Sequence, residues 1–436
     1  MEPRRRDSLI LERVQHQLRY AYDKLPFYRR HYDEHGFKPE MVKSLEDFTT
    51  RVPVITKKML VADQAANPPF GSYLGVERSQ LARIHGSSGT MGSPTMYGVS
   101  HHDWKQAGHL HSMALWCAGI RPDDLVQITF PFTLFFGGWG ILQACETLGA
   151  ASFPSGTMVT TERQIELLQR LGSDVLVATP SYIVHLGNRA VELGVDPSTT
   201  NISLAVMGGE PGGSLQTVRD LMSELWGGIG LVDGAPGSTS EMFPFLANIG
   251  CLHQEGGAHL FQDENYTEIV SLDDPNVPVP AGTSGATVGT HLWRESQPMI
   301  RFWMGDEGVL SEEPCPCART YPRLPRGVYG RLDDMLLIRG ANIYPSAVES
   351  VIRSVSGTGG EFRIIIERPA DLDEMVVEVE RAAEFSGNAG GLARELENRL
   401  KSALGVRIPV TVVEAASFEV QTFKARRVID RRPKVT

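Results

Sequence analysis

Apolar residues recur at helical spacing across positions 8 to 35, at Leu9, Val14, Leu18, Leu25 and Tyr28, and Pro26 breaks the run, which predicts helices on either side of it. A polar connection follows after Pro53 to Lys58. The apolar run Leu81 to Ile84 then passes into His85-Gly86-Ser87-Ser88-Gly89-Thr90-Met91-Gly92-Ser93-Pro94-Thr95, whose glycine, serine and threonine density is that of a loop. Between residues 103 and 270, short apolar runs at Leu125 to Phe130, Val175 to Ala178, Leu204 to Met207 and Ile229 to Val232 alternate with helical patterns at 162 to 172 and 213 to 226. Such alternation predicts βαβ units and a largely parallel sheet. After Gly330 the pattern changes: Met335 to Ile338, Ser346 to Ser354, Arg363 to Glu367, Met375 to Val379, a helix near 391 to 404 and Val410 to Val413 read as a compact α+β unit. The chain is thus expected to divide near Leu332 into a large N-terminal α/β domain with mixed and parallel sheets, residues 1–331, and a small C-terminal α+β domain, residues 332–436.

A chain of 436 residues exceeds what one hydrophobic core usually serves, which agrees with two domains. Hydrophobic residues at 42% and charged residues at 22% leave ample surface to bury and exclude disorder. The net charge of −10, from 52 acidic and 42 basic residues without a long Lys/Arg run, argues against a nucleic-acid partner and for a small molecule. Met1-Glu2-Pro3-Arg4-Arg5-Arg6 is basic but is followed by a polar amphipathic stretch, not the apolar core of an export signal. The longest apolar run, Leu125 to Gly140, is interrupted by Gln127, Thr129, Pro131, Thr133 and Gly137-Gly138, so no membrane partner is expected. Five cysteines are too few for a disulfide scaffold, which points to a reducing cytoplasm; assembly as a homodimer is left open.

The stretch Ser87-Ser88-Gly89-Thr90-Met91-Gly92-Ser93 offers close backbone approach, N–H groups and hydroxyls, as a polyphosphate requires, but no lysine follows Gly92, so it is not a P-loop. Further along come Thr179-Pro180-Ser181-Tyr182, Gly208-Gly209-Glu210-Pro211, Ser240-Glu241, Met299-Ile300-Arg301-Phe302 with Gly305-Asp306, Gly330-Arg331-Leu332-Asp333-Asp334-Met335, Arg339-Gly340-Ala341-Asn342-Ile343-Tyr344-Pro345-Ser346 and Phe423-Lys424-Ala425-Arg426. In this order they resemble the ordered elements of adenylate-forming enzymes, in particular the phenylacetate–CoA ligase group, from Leu25-Pro26-Phe27-Tyr28 almost to the C-terminus.

The resemblance implies an ATP-dependent enzyme that joins a carboxylic acid, aryl or arylacetic, to AMP and then to coenzyme A. It implies phosphate contacts at Ser87, Ser88, Gly89, Thr90, Gly92 and Ser93, and adenine at Gly209, Glu210 and Pro211. Ribose contact is expected at Asp306, with Arg331 as a second nucleotide contact. Beside Ser240, Glu241 is the candidate for Mg²⁺, since hard cations take carboxylate oxygens. Lys424 would bridge the substrate carboxylate and the α-phosphate as a positioned point charge. Asp333 resembles the hinge of a mobile C-terminal domain, which brings either Lys424 or the segment from Arg339 and Gly340 to Ser346 to the adenylate. The acyl pocket is expected at Phe130, Phe132, Phe135 and Phe136, with Gly208; an ordinary core would hold the same aromatic cluster.

Cys315-Pro316-Cys317-Ala318-Arg319-Thr320 resembles the group's C-x-C-G-R-T with alanine in place of glycine. Cys251 and His259 would complete a Cys₃His set suited to structural zinc, with His253 as a rival fourth ligand. Cys117 and Cys145 fall in apolar helical patterns and read as core. Gly237 stands where many family members carry an aromatic residue that stacks on adenine. Two alternatives stay open: an adenylating enzyme whose acceptor is an amine or a carrier-protein thiol, and a zinc-stapled binding module without catalysis.

Overall fold

The computed structural model describes residues 2–87, 95–234, 239–253, 256–332, 336–338, 341–368, 374–418 and 427–432. Helices α1 (Pro3–Lys24) and α2 (Pro26–Glu34) meet at Leu25, with Pro26 in the first turn of α2, where its missing N–H costs nothing. α3 (Leu45–Arg51) and α4 (Lys57–Ala66) begin at Ser44 and Thr56, whose side chains accept from the N–H three residues on. These helices share one core with Tyr97, Phe243, Met299 and Phe302, so they are built onto the sheets that follow. Strands β1 (Leu81–Gly86) and β2 (Met96–Ser100) pair antiparallel and form the arms of the glycine-rich loop.

The central layer runs α5 (His101–Ala118), β3 (Leu125–Ile128), α6 (Phe136–Leu148), β4 (Ala151–Phe153), α7 (Thr161–Leu171), β5 (Val175–Ala178), α8 (Pro180–Glu192), β6 (Leu204–Met207), α9 (Gln216–Trp226) and β7 (Gly230–Asp233). Its five strands are parallel in the order β4-β3-β5-β6-β7. Val175 and Val177 of β5 join one core and Leu176 and Ala178 the other, the alternation of a strand covered on both faces. The strand order reverses between β3 and β5, which puts a ligand crevice beyond their carboxyl ends.

An antiparallel portion follows: β8 (Asn248–Ile249), β9 (Ala258–Leu260), β10 (Asn265–Val270), β11 (Ser284–His291), β12 (Phe302–Val309), β13 (Arg323–Leu324) and β14 (Val328–Arg331), in sheets ordered β13-β9-β8 and β10-β11-β12-β14. Pattern alone missed β11, which reads Ser-Gly-Ala-Thr-Val-Gly-Thr-His. Its small residues answer to crowding, since a Cβ on Gly285 would come 2.3 Å from the Val270 carbonyl oxygen. The C-terminal part holds the hairpin β15 (Leu336–Ile338) and β16 (Ala341–Ile343), α10 (Pro345–Arg353), β17 (Thr358–Glu367), β18 (Glu374–Arg381), α11 (Ala389–Leu404), β19 (Val410–Val413) and β20 (Val428–Asp430). It closes its own core around Ile343, Val348, Ile364 and Leu396 beside a sheet ordered β19-β18-β17-β20. Among the described residues, no helix is long and apolar enough to cross a membrane.

Candidate active site

At the carboxyl end of β5, Thr179 caps α8, and the Ser181 backbone N–H donates to Glu210 Oε1 at 2.6 Å. That bond ties the Thr179–Tyr182 element to the Gly208–Pro211 turn beyond β6. Gly209 sits at φ +87°, a conformation that only glycine takes without strain, and Pro211 opens a short 3₁₀ turn, Pro211–Ser214. Burial raises the Glu210 carboxyl above its ordinary range, and the Ser181 donors offset only part of that.

Glu241 lies on the 3₁₀ turn Ser240–Met242 and is 2% exposed. Its Oε1 meets Lys57 Nζ at 2.9 Å and the Tyr97 hydroxyl at 2.9 Å. Burial opposes its ionisation, but the Lys57 charge, with the Tyr97 hydroxyl, outweighs that and holds the carboxyl below its ordinary range. Close by, Ser87 and Thr95 latch the base of the glycine-rich loop: Oγ and Oγ1 are 2.8 Å apart, and Ser87 N–H donates to the Thr95 carbonyl at 3.0 Å. An ionised carboxylate at the foot of a glycine-rich loop fits Mg²⁺, which binds through one or two carboxylates plus substrate phosphates and keeps several waters. Sequence reasoning missed Lys57 and Tyr97. One signal was available for Lys57: Thr56 caps α4, so a cation stands at the positive end of the helix, against the usual preference.

Asp306 is buried on β12, opposite Arg331 of β14 in the strand register, and follows Gly305 at φ +74°. Arg301 of the same motif is structural. Fully buried, it pairs with Glu268 at 3.2 Å and donates to the Val52 carbonyl at 2.7 Å, which fastens the N-terminal helices to the sheet. Of the aromatic residues after β3, Phe130 meets Phe135 edge-on at 6.5 Å, and Phe132 meets Trp139 at 5.2 Å. A Cβ on Gly208 would lie 3.7 Å from the Phe130 ring. Phe136 is core instead, stacked on His85 at 4.1 Å and on Phe243 at 4.5 Å. Ser88, Gly89, Thr90, Gly92, Ser93, Gly237, Asp333, Arg339, Gly340 and Lys424 lie outside the described residues.

The Cys/His set converges. The ligand atoms of Cys251, His259, Cys315 and Cys317 lie within 4.8 Å of one another, with Cys251 Sγ and Cys315 Sγ 3.8 Å apart and Cys317 Sγ and His259 Nε2 3.3 Å apart. Tetrahedral zinc with Zn–S near 2.3 Å and Zn–N near 2.0 Å asks for separations of about 3.8 and 3.5 Å, whereas a disulfide needs about 2.05 Å. Burial pushes the His259 imidazole down to about 4, aided by Arg319 and Arg323, so the ring is a neutral donor. His253 is exposed and stands outside the set. Cys117 and Cys145 are buried core residues, as expected.

Ala318, where the group has glycine, takes φ +62° in the turn after Cys317. Ala318→Gly is therefore expected to stabilise the protein by up to about 1.5 kcal/mol: relief of roughly 1–2 kcal/mol of left-handed strain, less roughly 0.4–1 kcal/mol of added unfolded-state freedom. The midpoint of urea unfolding checks this, and an unchanged or lowered midpoint would sink it.

Residues 340–432 match the family described as AMP-binding enzyme C-terminal domain. The chain is 34% identical to a phenylacetate–coenzyme A ligase of Thermus thermophilus, covering 98% of this chain and 96% of that protein. A phenylacetate–coenzyme A ligase of Escherichia coli is 32% identical over 98% of this chain and 94% of its own length. The chain belongs to the phenylacetate–CoA ligase group of adenylate-forming enzymes. Outside the curated members of the group, a structure of 2-hydroxyisobutyryl-CoA ligase with 2-HIB-AMP in the postadenylation state aligns with a TM-score of 0.93 at 40% identity, covering 99% of this chain and 90% of that one. The same ligase with 2-HIB-AMP and CoA in the thioesterification state aligns at 0.75, with 41% identity over 99% and 91% of the two chains.

Proposed function

We propose that this phenylacetate–CoA ligase-like protein activates a carboxylic acid as its acyl-adenylate and transfers the acyl group to coenzyme A. A carboxylate oxygen attacks the α-phosphorus, the bond to the β-phosphate breaks, and pyrophosphate leaves with the electron pair. The CoA sulfur then attacks the acyl carbon, the thiol proton passes to solvent, and AMP departs. One observation carries the reading most directly: Glu241, buried and ionised, meets Lys57 and Tyr97 at the foot of the glycine-rich loop. Magnesium bound there would neutralise phosphate charge. Glu241 would hold it, while Ser87 and the loop residues Ser88 to Ser93 cradle the phosphates. Gly209, Glu210 and Pro211 would flank adenine, and Asp306 would accept from the ribose hydroxyls beside Arg331. Lys424 would bridge the two reacting anions.

The proposed parts are residues 1–331 and a mobile unit of residues 332–436, hinged at Asp333, with Arg339 and Gly340 delivered for the thioester step. Two facts support alternation: the C-terminal part has its own core, and one relative in two states aligns with TM-scores of 0.93 and 0.75 at nearly the same identity. The zinc reading rests on the four converging ligands, and it would be structural because no coordination position stays open.

The substrate we propose is an aryl or arylacetic acid, admitted beside Phe130, Phe132 and Phe135 over Gly208. The test is a panel of aryl, arylacetic and short 2-hydroxy acids, assayed for pyrophosphate release with and without CoA. Arylacetic acids are expected to lead, with AMP and acyl-CoA formed in equal amounts. Preference for short 2-hydroxy acids would overturn the aromatic pocket. Adenylate that turns over with an amine or a carrier thiol but not with CoA would overturn the acceptor.

A further inference from the structure

Among the described residues, Arg294 and Arg301 are the largest fully buried side chains, and both terminal nitrogens of Arg294 donate to backbone carbonyls. Nη1 reaches the carbonyl of Glu241 at 3.1 Å and that of Phe243 at 3.4 Å, spanning the turn on which the Glu241 side chain stands. Nη2 reaches the Gly98 carbonyl at 3.4 Å, next to Tyr97 on β2. Nε is 3.4 Å from Ser296 Oγ. The nearby carboxylate of Asp103 is spent on the backbone N–H groups of Glu295 and Ser296, at 3.0 and 2.9 Å. A buried guanidinium that spends its donors on carbonyls bears a heavy desolvation cost, which is kept where it secures a geometry. Here it joins the two backbone segments whose side chains, Glu241 and Tyr97, meet at 2.9 Å. Gln297 reinforces the tie by accepting from the Gly98 N–H at 2.6 Å and donating to the Phe70 carbonyl at 2.7 Å.

We propose that Arg294 is a positioning residue that aims the Glu241 carboxylate at the metal of the nucleotide. It touches neither metal nor substrate; its forked donors set the turn, and the turn sets the carboxylate. A lysine would keep the charge but lose the fork, so position and charge can be separated. The inference rests on Glu241 as the metal ligand, and the test separates the two.

Mn²⁺, standing in for Mg²⁺, is titrated by electron paramagnetic resonance into protein saturated with α,β-methylene-ATP, which does not turn over. Wild type, Arg294→Met, Arg294→Lys and Glu241→Gln are compared, and folding is checked by circular dichroism. Glu241→Gln and Arg294→Met are each expected to weaken Mn²⁺ binding about tenfold or more, the range for loss of an outer-shell partner. Arg294→Lys should weaken it less but measurably, and it decides the matter if Arg294→Met does not fold. In turnover, both arginine variants should lower kcat for pyrophosphate release and leave the KM for the acid unchanged. Wild-type Mn²⁺ affinity in a folded arginine variant, with Glu241→Gln impaired, refutes Arg294 alone. Wild-type affinity in Glu241→Gln refutes the metal ligand and this inference together.

Discussion

Lys424→Ala is expected to lower acid-dependent pyrophosphate release by about 100- to 1000-fold, the usual loss on removing one preorganised group that stabilises charge in a transition state. Thioester formation from supplied acyl-adenylate stays close to wild type. The asymmetry follows from chemistry. Attack of a carboxylate on a phosphate brings two anions together, and an ammonium between them lowers that repulsion in the first step. In the second step, a thiol meets an activated acyl carbon and AMP leaves, so the bridge has no further role. The two half-reactions are measured separately, by pyrophosphate release without CoA and by acyl-CoA formation from synthetic adenylate. Equal loss in both would remove Lys424 from its assigned place.

Cys315→Ser is expected to lower stability by about 4 kcal/mol and to release close to one zinc per chain. The size follows from the chain-entropy cost of a cross-link. Cys251 and Cys315 are 64 residues apart in sequence, and their sulfurs lie 3.8 Å apart. With an unfolding entropy of about 2 cal/mol/K per residue across the N-terminal part, the melting temperature should fall by roughly 6 °C. Zinc favours these soft thiolate and imidazole donors and Mg²⁺ favours oxygen, so the KM for ATP in the folded variant should change little. Elemental analysis and calorimetry check the two halves. Zinc-free wild-type protein, or a variant as stable as wild type, would reduce the four residues to ordinary core.

Much of the architecture was legible in the chain. The limits of β5 and β6 matched their apolar runs to the residue, because strands covered on both faces carry uninterrupted apolar sequence between turns. β17 and β18 ran longer than expected, β17 beginning at Thr358 and not near Arg363, since pairing extends a strand through polar residues that no apolar pattern marks, whereas β19 kept its expected limits. The run from Leu125 was expected to reach Phe130, but β3 stops at Ile128, just before Pro131, which has no N–H for a ladder. β11 was invisible because glycine and threonine fill it where backbone crowds it.

The candidate site was legible only in part. The resemblance of ordered elements marked Glu241, Asp306 and the Gly208–Pro211 turn, and of these Gly209, at φ +87°, also answers to a local backbone demand. What Glu241 meets could not be read: Tyr97 lies 144 residues away in sequence, and Lys57 further still. His259 was preferred to His253 as the fourth zinc ligand, and the fold agrees: β9 buries His259 beside the cysteines, while His253 is exposed.

By itself the sequence determined many of the helices and strands, which residues are candidates for phosphate, nucleotide and zinc chemistry, and which family the chain resembles. These depend on periodicity and on residue type, both local properties. The tertiary structure alone decided the strand order β4-β3-β5-β6-β7 and hence the crevice between β3 and β5, the buried carboxylate shared by Lys57 and Tyr97, and the guanidinium beneath it. Each is a choice of partner across long stretches of chain, set by which surfaces bury together, and local composition does not encode it.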